Sequence, residues 1–300
     1  MTGSSVLITG ASGTVGSALL KELIQTGSYK IAVTVSSDFI ENELLNEKVC
    51  YIDYMDSNFK KNVINFSPDS VIHLASLSTA NDDISNIRKL VDSNIIFISI
   101  LLDALKETNV GLFLNTGSFS EYSSEDGVLN PAYFYAATKT ASRAILSYYK
   151  NLIKMKTCTI IPYTIYGSKN KSKKVFDYVL ESINSEVSIP MTKGDQILDF
   201  IHMSDVVSFF SHILENEKLL VDNEDYHLGI GQGTSIKDLA RIAEEVSGLK
   251  TNISWGEINY RNTDIMRAVA PVNNFKNHLG WAPKIGIKEG ILMSYNKKGF

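Results

Sequence analysis

The sequence is short of the residues that staple, kink or strongly charge a chain. Its 300 residues include two cysteines and six prolines, and the formal net charge is −4. Neither Cys50 nor Cys158 has a metal-ligand spacing. Both lie beside apolar residues in strand-like runs, so buried, reduced thiols are expected. No Pro-rich linker, repeat or low-complexity tract interrupts the chain. Acidic and basic residues are interspersed, which argues against a nucleic-acid footprint. The one basic cluster, Lys169–Lys174 (KNKSKK), reads as a solvated loop. The N-terminus lacks the basic and apolar regions of a signal peptide, and no apolar run is long enough to span a bilayer. The longest such run, Ile95–Leu102, is interrupted by Ser99 and bounded by Asn94 and Asp103, as in a buried helix. A cytoplasmic enzyme is the expectation.

What is present is an alternation of apolar strands and amphipathic helices. Val6–Thr9 ends in glycine, and from Val15 to Gln25 helical spacing aligns Val15, Leu19, Leu23 and Ile24. Strands are predicted at Ile31–Val35, Cys50–Asp53, Ser70–Ala75, Gly111–Asn115 and Thr157–Ile161. Helices are predicted near Asn58–Asn65, over Asn94–Thr108 and over Tyr135–Lys154. Strands separated by helices of this length imply an α/β fold, a doubly wound parallel sheet of the Rossmann type. We place the dinucleotide-binding domain at 1–165, with segments at about 199–230 returning to it. Residues 166–300 are then mainly a smaller substrate-binding lobe over the carboxyl ends of the strands, where open α/β sheets take ligands. Within it, helices are predicted at Lys174–Asn184, Asp205–Glu215 and Ser235–Ser247, a strand at Tyr226–Gly229, and a turn-rich tail around Gly280–Pro283. Tyr148 and Tyr149 read as helix packing.

Chemistry concentrates in two places. Gly10, Gly13 and Gly16 follow a strand and open a helix in G-x-x-G-x-x-G spacing. That context suits a tight turn, close backbone approach to a pyrophosphate, and helix–strand packing. Backbone N–H groups at a helix N-terminus then face the phosphates. No acidic residue ends the second strand, where Ser36 and Ser37 stand and Asp38 falls late. NADP(H) is therefore the expected cofactor, with NAD(H) the alternative. Further along, Tyr135 and Lys139 are four apart, so one helical face carries both. A phenol ordinarily titrates near ~10. An adjacent ammonium is expected to lower that value and let Tyr135 exchange protons. Ser118, at a strand end, is placed to hydrogen-bond the same substrate oxygen.

These pieces together resemble the extended short-chain dehydrogenase/reductases that act on nucleotide-linked sugars, the NAD-dependent epimerase/dehydratase family. The resemblance runs through TGASGTVG at 9–16, Asp53, HLAS at 73–76, Asn94 opening its helix, NTGSFSEY at 115–122 and YAATK at 135–139. It continues through IYG at 165–167, DFIHMSDVV at 199–207, RNTD at 261–264 and LGWAP at 279–283. It implies a dinucleotide held by Gly10, Ser12, Gly13, Thr14, Val15 and Gly16, by Ser36, Ser37, Asp53 and Tyr54, and by Leu74, Ala75, Ser76 and Asn94. Ser118, Tyr135 and Lys139 would do the chemistry, Lys139 also meeting the nicotinamide ribose. Ser118, Phe119, Ser120, Arg261 and Asp264 would meet the substrate, with Arg261 on its diphosphate.

Departures narrow the reaction. Phe119-Ser120 replaces the Asp-Glu pair of the family's 4,6-dehydratases, and no Cys–His pair of the GDP-fucose synthase type accompanies Ser118. Leu198 stands where the family often has arginine, and Thr164 where an asparagine frequently sits. The resemblance is to 4-ketoreductases of nucleotide-linked 4-keto-6-deoxyhexoses, of the CDP-abequose synthase kind. A nucleotide-sugar 4-epimerase is the alternative, and a non-catalytic NADP-sensing protein a third reading. The apolar breadth of Asn94–Thr108 suggests a homodimer. His73 reads as a core histidine, and His202 and Asp205 as anchors; no metal is expected. Asp199 and Asp264 are left open between structural and nucleotide-binding carboxylates.

Overall fold

The computed structural model describes residues 4–36, 46–79, 83–124, 127–168, 173–271 and 278–297. Ser37, Asp38 and residues 169–172 of the lysine run lie outside them. The chain divides into two compact units, Met1–Ile161 with Phe209–Tyr226, and Pro162–Ser208 with His227–Phe300.

The first unit is built on a seven-stranded sheet. Its strands are β1 (Ser5–Thr9), β2 (Lys30–Val35), β3 (Val49–Asp53), β4 (Ser70–His73), β5 (Leu112–Thr116), β6 (Lys156–Pro162) and β10 (Glu224–Leu228). Across the sheet the order is β3-β2-β1-β4-β5-β6-β10. Registered pairs from β3 to β6 are parallel, with Val6 opposite both Ile31 and Ser70. Both faces of a parallel sheet are covered, so its strands need no polar alternation, and every residue of β1 is buried. The winding reverses between β1 and β4, the switch point where doubly wound sheets open a crevice. Helices α1 (Thr14–Thr26), α2 (Phe59–Phe66) and α5 (Phe134–Ile153) take the predicted places within about a residue at each end. Leu7, Ile52, Val63, Val71, Ile98, Leu101, Leu105 and Phe113 share one core cluster. Each such side chain contributes roughly 1.5–3 kcal/mol by leaving water.

The helix predicted at Asn94–Thr108 is different in kind. Helical structure already starts in α3 (Ile84–Val91), passes through a π-turn at Asp92–Ile96 and continues as α4 (Phe97–Leu105). Asn94 therefore lies inside a helical segment and does not open one. The wide turn accommodates an inward Asn94 side chain. Its Oδ1 accepts from Leu77 N at 2.8 Å, and its Nδ2 donates to Leu77 O at 3.0 Å and Thr138 Oγ1 at 2.9 Å. Most of the apolar breadth of α4 is covered within its own unit, while Ile96 and Ile100 stay half exposed. Cys158 is buried, with its thiol pushed up to about 12 by that burial. Cys50, expected inside, is exposed. It lies on β3, the edge strand, where alternate side chains point away from the covering layer. Tyr149 packs on the core, whereas Tyr148 is exposed and meets its neighbour edge-on.

The second unit centres on β9 (Ile197–His202). It pairs in parallel with β7 (Thr164–Tyr166) and β13 (Arg267–Ala268), and antiparallel with β11 (Gly233–Ser235). Strands β8 (Ile189–Met191) and β12 (Ile253–Trp255) form a separate pair. Its core joins Tyr166, Phe176, Leu180, Phe200, Leu239 and Ala243. Ser235 caps α8 (Ile236–Ser247) by accepting from Asp238 N at 3.0 Å. Asp199 is fully buried and accepts from the N–H groups of Ile230, Gly231 and Ala270, so it is a structural carboxylate. Asp205 accepts from Lys284 N and Ile285 N, an anchoring role. A last helix (Ile287–Lys297) follows the turn-rich tail and was not predicted. Gly290 weakens its helical signal, yet a Cβ there would collide with the Tyr166 ring.

His73, at the end of β4, is a buried histidine of the core. Its Nδ1 lies 2.9 Å from Thr9 Oγ1, and its ring packs against Phe97 and Phe113. Burial, with the Lys139 charge second, lowers its pKa to about 3. A depressed folded-state value means stability that is present above the unfolded pKa of 6.5 and lost as pH falls through about 3. Urea unfolding across that window is expected to show roughly 4 kcal/mol less loss for His73→Gln than for the wild type.

Candidate active site

The turn after β1 is shaped by contacts that exclude side chains. Gly10 has φ +70°, and a Cβ on it would lie 2.6 Å from Ala75 N. A Cβ on Gly16 would collide with the carbonyl of Gly10. Gly13 donates to Gly10 O at 2.9 Å and caps α1, whose first turn carries no acidic residue. The positive end of α1 thus keeps its attraction for an anion. Thr9 Oγ1 also accepts from Ala75 N at 3.1 Å, binding the end of β1 to the segment after β4.

Beside this turn lies a cleft of about 690 Å³. Of the residues expected on a dinucleotide, Gly10, Ser12, Gly13, Ser36, Tyr54, Leu74, Ala75 and Ser76 line it. Thr14, Val15, Gly16, Asp53 and Asn94 are not among its lining residues. Asp53 instead accepts from Met55 N at 2.9 Å and shapes the turn that presents Tyr54. Asn94 Oδ1 takes Ser76 Oγ at 3.1 Å in addition to the bonds above, so Asn94 braces the cleft wall. Thr34, Met55, Leu77, Lys89, Asp92, Ser93 and Phe97 also line the cleft, and sequence reasoning missed them. Four of these come from the α3, π-turn and α4 segment, whose early start the periodicity hid. The cradle suits a dinucleotide's phosphates, because Gly10, Ser12 and Gly13 line the cleft at the N-terminus of α1, where no acidic residue stands. Among the described residues no cluster of His, Cys, Asp and Glu could hold a metal ion.

The proton-transfer candidates meet in the same unit. Ser118 follows β5 and caps a 3₁₀ turn at Phe119–Glu121, while Tyr135 and Lys139 are buried on α5. The side chains of Ser78, Ser118 and Ser76 surround the Tyr135 phenol closely enough to lower its pKa. Ser118 Oγ lies 2.7 Å from Ser120 Oγ, so two hydroxyls are coupled on the side of Ser118. Tyr133 stacks against Tyr135 at 6.0 Å.

The electrostatics differ from the expectation. Burial, followed by Tyr133, pushes the Tyr135 phenol up to about 12, and the serine hydroxyls only partly offset this. Lys139 is itself buried, which lowers it to about 8 despite the Glu121 charge. The phenol is thus not acidified by its neighbour. Removing a phenolate from water costs more than the surrounding groups return.

Phe119 is partly exposed and Ser120 buried on the turn. In the second unit, Arg261 and Asp264 close a turn of their own. Arg261 N donates to Asp264 Oδ2 at 2.8 Å, Asp264 N donates to Arg261 O at 3.1 Å, and the arginine is exposed. Missed altogether were Glu121 and Arg143, which form a buried ion pair behind Ser118. A Glu three residues after a capping serine was the available signal.

The model of the NAD dependent epimerase/dehydratase family matches residues 6–229. The CDP-abequose synthase of Salmonella typhimurium is 30% identical over 292 residues, covering 95% of each chain. The UDP-glucuronate 4-epimerase of Thermodesulfobacterium geofontis is 25% identical, covering 97% of this chain and 94% of its own. Among solved structures, a UDP-glucuronic acid 4-epimerase from Bacillus cereus, in complex with UDP-glucuronic acid and NAD, superposes with a TM-score of 0.86. It is 20% identical, covering 99% of this chain and 100% of its own.

The cradle makes a direct prediction. Gly10→Ala must force an L-residue into positive φ and against Ala75, a cost of order 1–3 kcal/mol. NADH and NADPH binding, followed by nicotinamide fluorescence, is expected to weaken at least about tenfold. Gly27→Ala, which changes a positive-φ helix end outside the cleft, is expected to leave binding near the wild-type value.

Proposed function

The chain belongs to the NAD dependent epimerase/dehydratase family, and we propose that it reduces the C4 ketone of a nucleotide-linked 4-keto-6-deoxyhexose. The observation that carries this reading is the placing of Tyr135 and Lys139, both buried on one helix, with Ser118 on the turn before it. Burial raises the phenol to about 12, so it is protonated at neutral pH, with Ser118 near it. Reduction of a ketone needs a proton donor at the developing alkoxide, and Tyr135 is one. Ser118 polarises the carbonyl, and its hydroxyl neighbour Ser120 replenishes the hydrogen bond. Lys139 contributes its positive charge beside the phenol and hydrogen bonds to the ribose. When bound, the reduced nicotinamide supplies the hydride.

Three relatives between 24% and 30% identical are CDP-abequose synthases, which supports a deoxysugar substrate. Phe119 and Ser120 offer no acid–base pair for dehydration. NADP(H) was expected from the second strand's end, whereas solved neighbours of the fold hold NAD; the assay with each dinucleotide decides between them. Arg261 on the substrate diphosphate, with Asp264 beside it, and a homodimer across the half-exposed Ile96 and Ile100 belong to the same reading.

A 4-epimerase is the second reading, favoured by relatives of that name. It must begin by removing a proton from the C4 hydroxyl, where the reductase begins by donating one. A reductase consumes added dinucleotide stoichiometrically with a 4-keto sugar nucleotide. An epimerase interconverts C4 epimers without net consumption, and a sensor binds dinucleotide and does neither. Tyr135→Phe is expected to lower kcat by about 10²–10⁴-fold. Full turnover by that variant would remove Tyr135 from the mechanism.

The pH dependence follows from Lys139. Its ammonium is present below about 8 and lost as pH rises through that value. The reduction rate is expected to fall on the alkaline side with an inflection near there, as read from initial rates of dinucleotide oxidation.

A further inference from the structure

Behind Ser118 lies a charged cluster that the proposed chemistry does not use directly. Glu121 is fully buried. Its Oε1 accepts from Ser118 N at 2.8 Å and from an Arg143 terminal nitrogen at 3.2 Å. Its Oε2 accepts from Arg143 Nε at 2.8 Å and Thr140 Oγ1 at 3.2 Å. Arg143 is held from its other side by both oxygens of Asp225, at 2.8 and 2.7 Å. Tyr122 donates to Asp225 at 2.6 Å, closing the cluster.

The connectivity has a direction. Ser118 and Glu121 belong to the turn after β5, and Thr140 and Arg143 belong to the helix that carries Tyr135 and Lys139. One carboxylate therefore ties the carbonyl-polarising hydroxyl to the proton-donor helix. We propose that Glu121, oriented by Arg143, is a positioning residue that holds the Ser118 turn in register with the helix carrying Tyr135 and Lys139. This rests on the reductase reading for its chemistry, but the geometry is independent of the sugar. The backbone supports it: a Cβ on Gly117 would lie 2.7 Å from Glu121 Oε1 and 2.9 Å from Arg143, so the glycine leaves room for the clamp. The electrostatics agree. Burial lowers Lys139, Glu121 raises it, and Arg143 lowers it. His73, the titratable group near Lys139 from β4, stays neutral at about 3.

The test uses the full chain carrying ¹³Cε-lysine, with the Lys139 signal assigned by its loss in Lys139→Met. In Glu121→Gln the Lys139 titration midpoint is expected to move to lower pH, and the alkaline limb of kcat to move with it. At neutral pH kcat is expected to fall roughly ten- to a hundredfold with KM within about twofold, the pattern of misplaced catalytic groups. Glu121→Asp keeps the charge but shortens the reach. It is expected to leave the midpoint near the wild type while kcat still falls. A midpoint unmoved in Glu121→Gln, or wild-type kcat in Glu121→Asp, overturns the proposal. Where circular dichroism shows Glu121→Gln unfolded, Glu121→Asp alone decides it. If the wild type reduces no 4-keto sugar nucleotide, the reductase reading fails. A lowered midpoint in Glu121→Gln would then still uphold the clamp.

Discussion

The burial of two cations on one face of α5 is the constraint from which the site follows. Lys139 and Arg143 both turn into the protein, with side chains largely removed from water. An unpaired buried charge costs several kcal/mol, so the neighbouring elements must answer each one. Arg143 is answered by Glu121 and Asp225, and its pKa is raised although burial opposes this. Lys139 has no ion pair among the described residues and is left titrating at about 8. Satisfying Arg143 imposes its own demands. Glu121 must be brought inside on a 3₁₀ turn, residue 117 must be a glycine, and Ser118 must offer its N–H to the carboxylate. The serine is thus fixed by the need to neutralise an arginine, as much as by the chemistry proposed for it.

The same burial decides the character of the phenol. In water, an ammonium one helical turn away would stabilise phenolate. In this pocket desolvation of the phenolate dominates, and Tyr135 rises to about 12. An acid held protonated suits a reaction in which a ketone oxygen must be capped. A base for alcohol oxidation would need a further positive charge near the phenol. The environment thus keeps Tyr135 protonated at neutral pH, the state a proton donor needs.

Much of this was legible in the sequence because it depends on short-range pattern. Parallel strands buried on both faces leave continuous apolar runs, so β1, β2, β4, β5 and β6 could be located from composition alone. The spacing of Gly10, Gly13 and Gly16 reports a steric need that any reader of the chain can see. Tyr135 and Lys139 are legible because four residues make one turn. What failed was nonlocal or aperiodic. The π-turn at Asp92–Ile96 breaks helical phase, and α3 before it is polar outside, so the segment's true start was hidden. The burial of Cys158 and the exposure of Cys50 differ by sheet position, which local sequence does not carry. Glu121 and Arg143 are 22 residues apart, and Asp225 is 82 beyond Arg143, a separation no motif spans. The pKa of Tyr135 depends on how completely it is enclosed, which spacing cannot report.

His73 shows how far the charge economy of the site extends into the fold. It sits where β4 ends, bonded to the Thr9 hydroxyl that also receives Ala75 N–H, and so belongs to the cofactor cradle. It is also close enough to Lys139 for that charge to lower its pKa. A protonated imidazole there would in turn repel the Lys139 ammonium and depress a pKa already brought down by burial. His73 is neutral wherever the pH lies well above about 3, so it adds no positive charge beside Lys139. Glu121 acts in the opposite sense from the other side. Lys139 thus stands between a neutral histidine rooted at the switch point of the sheet and a carboxylate anchored on its own helix. The glycine cradle and the proton-transfer pair are in this way parts of one electrostatic structure.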